Sequence, residues 1–408
     1  MIRSDATIAP PPANPRPILR GRDILCFSHD WSGDPLSKTH LMRLLARDNR
    51  VLWVNSIGYR APAANRADVG RAVRKIRAAL EPVREVEPNL FVLNPLAIPL
   101  YGRPWLRRAN RGLLIAQVRR AMRRLRFSRA INWVFNPAAG LLAGGLGEER
   151  IIYHCVDEYT AFTGVDGAAL AAIEADLLGR ADVVFVSAHR LLESKARGNP
   201  RTFLVRHGVD HELFRTALDP ATAVPADLAR LPRPILGYFG LIAEDWVDID
   251  LLVHLARRFP DASIAMIGKV TMDVSRLEAL PNVYLLGHKP YRDLPGYCKG
   301  FDVALIPFPV SEVTLNANPL KAREYLAAGL PVVSTAIPEV EVLGLCRIGR
   351  DADGFAREVG LALDRPGPDA TRSDGVRHMG WDARLDEIRA HLGSLGWPDD
   401  APTGVTSR

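Results

Sequence analysis

Short apolar runs alternate with helical patterns along nearly the whole chain. In the first half, runs at 23–28, 50–55, 89–93, 131–136, 150–155, 181–187 and 202–207 predict strands. Apolar positions recur at helical spacing over 36–47, 105–126, 168–179 and 188–196. Strands that are apolar almost throughout are buried on both faces, the pattern of a parallel sheet covered by helices. The pattern breaks at 216–233, a Pro- and Ala-rich stretch without an apolar strand, and then restarts. Strands are predicted at 234–240, 262–268, 282–287, 302–308 and 331–336, and helices at 249–258, 292–299, 319–328, 354–363 and 381–392. The expected organisation is α/β: a doubly wound domain over 20–215, a linker over 216–233, a second doubly wound domain over 234–377, and a C-terminal helix within 378–395. The Pro-rich start, 1–19, and the end, 396–408, read as disordered tails. Two such domains imply a central cleft, and parallel sheets bind ligands beyond the C-terminal ends of their strands.

Composition narrows the class. With 48% hydrophobic and 24% charged residues over 408 positions, the chain is globular rather than disordered or collagen-like. Four cysteines without a CxxC pair exclude zinc-finger spacing and suit a reducing compartment. The longest uncharged stretch, 130–147, carries Asn132, Asn136, Pro137 and four glycines, so it reads as strand and turn rather than a membrane span. The N-terminus lacks the apolar core of a signal peptide. A cytoplasmic location is expected.

The segment 316–333, NANPLKAREYLAAGLPVV, carries the strongest chemistry. Asn318 is suited to cap a helix and Pro319 to open it. Lys321 then falls in the first turn, beside unpaired backbone N–H groups, and Glu324 lies one turn deeper on the same face. Such a helix start is an anion site suited to phosphate, and the carboxylate suits a diol such as ribose. The alternative is an ordinary capped helix with a solvated lysine. Elsewhere, Asp157 follows the 150–155 strand at the cleft and has the type and place of a general base, with His154 and Glu158 as neighbours able to substitute. Equally, it suits a cap on the following turn. His29 and Asp30 end the first strand, as site residues or as loop braces. Asp248-Ile249-Asp250 opens a helix, where acids cap, so no metal is expected. No GxGxxG follows the first strand, and no GxSxG or Walker sequence occurs.

These motifs carry a family resemblance. Residues 324–333 (EYLAAGLPVV) resemble the C-terminal signature of GT-B glycosyltransferases. Residues 207–214 (HGVDHELF) resemble that family's NGVDxxxF segment, and 302–307 (DVALIP) its ADVxVxPS strand. The PLKxxEYLAxGxPVV pattern is closer to teichuronic-acid and exopolysaccharide glycosyltransferases. The set Ser28-His29-Asp30, Asp157, 207–211 and Lys321 is similar to the inverting glucuronosyltransferase of xanthan synthesis. The retaining enzymes pair two glutamates eight residues apart, whereas Asn316 stands eight before Glu324. Their basic pair after the first C-domain strand is also missing from 240–246.

The resemblance implies a GT-B fold, two Rossmann-like domains facing a cleft, with the final helix crossing back to the N-terminal domain. It implies a metal-independent, hexosyltransferase-type enzyme without a cofactor. Its substrates would be a nucleotide-sugar donor, most simply a UDP-sugar, and a polyprenyl-linked or other lipid-linked saccharide acceptor in envelope or exopolysaccharide synthesis. Asp157 would be the base of an inverting transfer, and His29 would orient a hydroxyl or carboxylate. Lys321, Glu324, Asn318, Asn316, Gly240, His288 and Tyr291 would bind the donor. Asp30, His154, Glu158, His207 and Gly208 would line the acceptor side. Two other readings are a non-hydrolysing sugar-nucleotide 2-epimerase and a sugar-nucleotide-binding protein with a degenerate site.

Charge adds one feature. The net charge is +7, yet 103–129 alone holds ten arginines and no acid, so the rest of the chain is net acidic. Within the predicted helix, Arg107, Arg108, Arg111, Arg119, Arg120, Arg123 and Arg124 surround an apolar stripe, with Arg71, Arg74, Lys75 and Arg77 upstream. That pattern suits docking to the anionic inner face of a membrane, and also a core-packed helix with a solvated basic face. Without aromatic residues interleaved for stacking, nucleic acid is not the expected partner.

Overall fold

The computed structural model describes residues 18–31, 34–57, 77, 81–97 and 104–397. Arg71, Arg74, Lys75 and Arg103 lie outside the described residues, as do 1–17 and 398–408 of the stretches read as tails. Two sheets carry the fold. The first comprises β1 (Asp23–Phe27), β2 (Arg50–Val54), β3 (Arg84–Glu87), β4 (Leu90–Leu93), β5 (Ile131–Val134), β6 (Arg150–Cys155), β7 (Val183–Val186) and β8 (Thr202–Leu204). Its order is β3-β4-β2-β1-β5-β6-β7-β8, parallel except at the β3–β4 edge. The second comprises β9 (Ile235–Phe239), β10 (Ser263–Ile267), β11 (Val283–Gly287), β12 (Val303–Ile306), β13 (Val332–Thr335) and β14 (Arg347–Gly349). It is wholly parallel in the order β11-β10-β9-β12-β13-β14. Strand order reverses at β1/β5 and at β9/β12, and in open α/β sheets such switch points hold the ligand crevice.

β1, β5, β7, β9, β10, β12 and β13 are buried along their full lengths, as sheets covered on both faces require. Two strands escape the sequence pattern. β3 reads REVE, is largely exposed and pairs antiparallel at an edge, so it has no apolar run. β14 is only three residues long.

Each sheet has its own core. The first gathers residues from Ile18 to Val205 and then Trp381, Leu385, Ile388, Leu392 and Trp397, so the helix Trp381–Ser394 belongs to it. Ile18, Leu19 and Trp397 are buried there, at the inner ends of the stretches read as tails. The second core runs from Val209 to Val376 and includes Ala217, Leu228 and Leu231, so 216–233 is packed onto the second domain. The chain crosses between cores near 205–209 and again near 376–381. The two crossings are paired, Val209 N–H donating to the Met379 carbonyl at 3.0 Å. A Cβ on Gly208 would stand 2.8 Å from the Trp381 ring, so only glycine permits this close approach.

Candidate active site in the interdomain cleft

The second domain builds one wall from two strand ends and a helix start. The chain leaves β9 through Gly240 (φ +136°) and β10 through Gly268 (φ +150°), conformations that side-chain-bearing residues rarely adopt. Lys321 lies in the first turn of the helix Leu320–Ala327. A Cβ on Gly240 would fall 2.5 Å from Lys321 Nζ, so the ammonium rests on bare backbone. It also lies 5.5 Å from the ring centroids of both Tyr238 and Phe308, and it has no hydrogen bond or salt bridge among the described residues. Burial pushes its basicity down and Glu324 pushes it back up. Glu324, 6% exposed, accepts from Tyr291 Oη at 2.9 Å. Burial raises its carboxyl to about 7, against the opposing Tyr291 hydrogen bond and Lys321 charge and with a further push from Asp210. An unpaired cation at a helix start, beside a poised carboxylate, is complementary to a diphosphate attached to a diol.

The first domain builds the opposite wall. Asp157 leaves β6 at its C-terminal end, and its turn is clamped. Tyr159 N–H donates to the Asp157 carbonyl at 3.1 Å, and Ser187 Oγ to the Val156 carbonyl at 2.9 Å. Burial raises the Asp157 carboxyl to about 6, Lys38 lowering it and Glu158 raising it. A carboxylate there is more basic than an ordinary aspartate yet largely ionised at neutral pH. His29 ends β1, its Nδ1 3.0 Å from Ser28 Oγ, and burial followed by the Lys38 charge takes its imidazole down to about 3, so it is neutral. Asp30 is exposed and accepts from Ser56 N–H at 3.1 Å.

Several predicted residues sit elsewhere than expected. Asn318 does not cap the helix, because Pro319 takes the cap position. Asn318 Nδ2 instead donates to the Ser187 carbonyl of the first domain at 2.6 Å, and Arg323 donates to its Oδ1 at 2.6 Å. Asn316 closes the preceding short helix, donating to the Glu312 carbonyl at 2.7 Å. His288 faces Asp34 across the cleft at 2.9 Å. Glu158 is taken by Lys195 at 2.9 Å, and Lys195 also holds Glu174 at 2.9 Å, which leaves Glu158 poorly placed to substitute for Asp157. His154 alternates to the face of β6 beneath the helices Ser37–Ala46 and Trp381–Ser394. There it lines a small interior cavity with Phe135, His207 and Trp381 rather than the cleft. His207 is buried against Trp381, their rings 6.1 Å apart. Asp248 caps its helix through Leu251 N–H at 2.9 Å and Asp250 pairs with Arg276. Among the described residues no three His, Cys, Asp or Glu side chains converge as a metal site.

Two residues of the cleft escaped sequence reasoning. Lys38 is buried in the first turn of the helix Ser37–Ala46 and donates to Tyr159 Oη at 3.0 Å. A lysine just inside a helix start following a strand loop was the signal, the same one that marks Lys321. Glu339, 2% exposed, accepts from His189 N–H at 2.8 Å and Arg206 Nε at 2.6 Å, both from the first domain. No local pattern announces it.

The arginine run forms the helix Pro104–Leu125. Leu106, Leu114, Val118, Ala121 and Met122 are buried, Arg108, Arg111, Arg119, Arg120, Arg123 and Arg124 are exposed, and Arg107 is half-buried. Trp105 (63%) and Leu113 are exposed among them. No described helix is long and apolar enough to cross a membrane.

Residues 233–365 match the family described as glycosyl transferases group 1. A protein of Bacillus subtilis (strain 168) named for teichuronic acid biosynthesis, the glycosyltransferase TuaH, is 27% identical over 226 residues, which cover 52% of this chain and 56% of TuaH. The chain thus matches little more than half the length of that relative. Among solved structures, sucrose-phosphate synthase of Thermosynechococcus elongatus aligns over 92% of this chain and 98% of its own, with TM-score 0.63 and 17% identity. Anabaena HepE in complex with UDP aligns over 92% and 100%, with TM-score 0.62 and 13% identity. An α,α-trehalose-phosphate synthase (UDP-forming) of Burkholderia vietnamiensis aligns over 92% and 99%, with TM-score 0.64 and 14% identity. At such identities the likeness establishes the fold, and the fold is GT-B.

Proposed function

We propose that the protein is a glycosyltransferase that moves a sugar from a nucleotide donor, most simply a UDP-sugar, to a lipid-linked saccharide acceptor at an anionic membrane surface, with inversion at the anomeric carbon. One observation carries the reading. The second domain holds an ammonium without an ion pair among the described residues, resting on glycine backbone at a helix start, and the first domain holds a half-buried, raised-pKa carboxylate at a strand end. The donor diphosphate would lie on Lys321 and the N–H groups of the Leu320–Ala327 helix, its ribose against Glu324 and Tyr291. Asp157 would take the proton of the acceptor hydroxyl as that oxygen attacks the anomeric carbon. The bond to the diphosphate oxygen breaks on the opposite face, and its electron pair leaves on the diphosphate, where Lys321 balances the charge. The group 1 match, the name of TuaH and the bound UDP in HepE support the donor class. The exposed arginine helix supports the acceptor's location.

The test is transfer from a panel of UDP-sugars to a polyprenyl-diphosphate-linked saccharide, with the product anomer read by proton NMR. Asp157→Asn keeps the shape and removes the basicity. It is expected to retain UDP-sugar binding and to lose a factor of about 10²–10⁴ in kcat. A product with the donor's own anomeric configuration, or near-normal kcat in the variant, overturns the mechanism. Conversion of the donor without any acceptor identifies an epimerase instead.

A further inference from the structure

The first-domain wall holds a charge that this mechanism leaves unused. Lys38 is 8% exposed and is the second residue of the helix Ser37–Ala46, whose first turn contains no acid. The free N–H groups of a helix start already present positive charge, so a buried ammonium there is disfavoured both by the dipole and by desolvation. Its one direct partner among the described residues is the neutral Tyr159 hydroxyl, 3.0 Å from Nζ, and it makes no salt bridge. Tyr159 belongs to the turn that Asp157 opens, and its N–H closes on the Asp157 carbonyl at 3.1 Å. Of the acids around it, Asp157 acts most strongly on the ammonium, and among the described residues Lys38 is the one cation that acts appreciably on Asp157.

We propose that Lys38 is a positioning residue for Asp157: through Tyr159 it fixes the turn that carries the carboxylate, and through its charge it keeps that carboxylate ionised and ready for the acceptor's proton. The proposal rests on the reading of Asp157 as the base. Other groups share this field. Glu158, on the same turn, opposes Lys38 but is itself held by Lys195, which also binds Glu174. Cys26 of β1 and Cys155 of β6 are buried thiols pushed up by burial, and so stay neutral. His29 beyond β1 and His154 of β6 are held neutral by burial and by Lys38 itself. None of them supplies a second positive charge to Asp157.

The experiment compares Lys38→Met, which keeps the length and removes the charge, with Lys38→Arg, in the full chain. Two readouts are taken: the titration of the Asp157 carboxyl by carbon-13 NMR without substrates, assigned with Asp157→Asn, and the pH profile of kcat/KM for transfer. In Lys38→Met the carboxyl titration and the acidic limb are expected to move up together by about one pH unit or more. Lys38→Arg should hold both near the parent. The melting temperature of Lys38→Met should not fall, because a buried charge has been removed. If Lys38→Met does not fold, Tyr159→Phe carries the test, with a smaller shift in the same direction. An unmoved carboxyl titration refutes the role of Lys38, whatever the activity. A carboxyl titration that moves while the acidic limb stays shows that Asp157 is not the base, and removes the positioning role with it.

Discussion

A carboxylate reports its surroundings through the pH at which it gives up its proton, and Glu324 is held near neutrality. Burial and Asp210 favour its protonated form, while Tyr291 and Lys321 favour the ionised one. A ribose diol donates to the ionised form, so a donor entering at low pH must first displace a proton. With a carboxyl near 7, UDP-sugar affinity should rise as pH passes upward through about 7, and at pH 6 it should be about tenfold weaker than on the alkaline plateau. The diphosphodiester of a UDP-sugar does not titrate there, so calorimetry across pH 5.5–8.5 isolates the protein's group. Glu324→Gln should bind more weakly with a flat profile; a parent profile that is already flat removes Glu324 from the ribose. Lys321→Ala removes the cation resting on Gly240 and should lower turnover by about 10², the scale of one lost charge-stabilising donor. Unchanged turnover would show that the diphosphate lies elsewhere. Both residues are legible in sequence because their chemistry lies within one helical turn. Lys38 and Asp157 lie far apart in the chain, and only the sheet brings them together.

At the scale of elements, legibility followed burial. Strands enclosed on both faces announce themselves as apolar runs, and so do helices that bury one stripe. β3 does not, because an exposed antiparallel edge needs no apolar residues. Asn318 shows a different limit: its type and position suit a cap, but its Oδ1, the atom a cap would use, accepts from Arg323, while its Nδ2 reaches the Ser187 carbonyl of the other domain. The helix Pro104–Leu125 is core-packed on one face, as one of the two readings has it, and the membrane reading is a proposal that its other face is compatible with. One face packs into the first core, and the other keeps its arginines free of ion pairs among the described residues while exposing Trp105 and Leu113. A basic face with an interfacial aromatic suits anionic headgroups, each basic residue contributing about 1 kcal/mol near the surface. Replacing Arg119, Arg120, Arg123 and Arg124 by Gln is expected to weaken binding to phosphatidylglycerol vesicles at low salt by at least 10²-fold, while UDP-sugar affinity is unchanged. Equal vesicle binding by variant and parent would leave the face merely solvated.

At the scale of the molecule, the proposed transfer needs the two walls held in register, so that a proton can leave one side as a diphosphate leaves the other. Glu339 of the second domain provides the tie, accepting from His189 N–H and Arg206 of the first. Asn318 joins the same cluster, its Nδ2 3.4 Å from Glu339 and 2.6 Å from the Ser187 carbonyl. Because Asn318 lies just before the helix that carries Lys321 and Glu324, the second-domain wall is fastened to the first domain beside the proposed donor site. Rim contacts such as His288 with Asp34 and Thr163 with Asp245 are exposed and contribute less. Glu339→Gln retains the shape and removes the charge received by Arg206. Hydrogen bonds to charged groups are worth about 1.5–3 kcal/mol, so losing about 2 kcal/mol would shift the closed-to-open ratio about 30-fold. The expected signature is a larger radius of gyration by small-angle scattering without donor, partly reversed by a UDP-sugar that bridges the walls. The accompanying loss should fall on kcat/KM, with both sheets still melting cooperatively. Scattering and kcat/KM both indistinguishable from the parent would mean that the paired crossings at Val209 and Met379, rather than Glu339, set the register of the cleft.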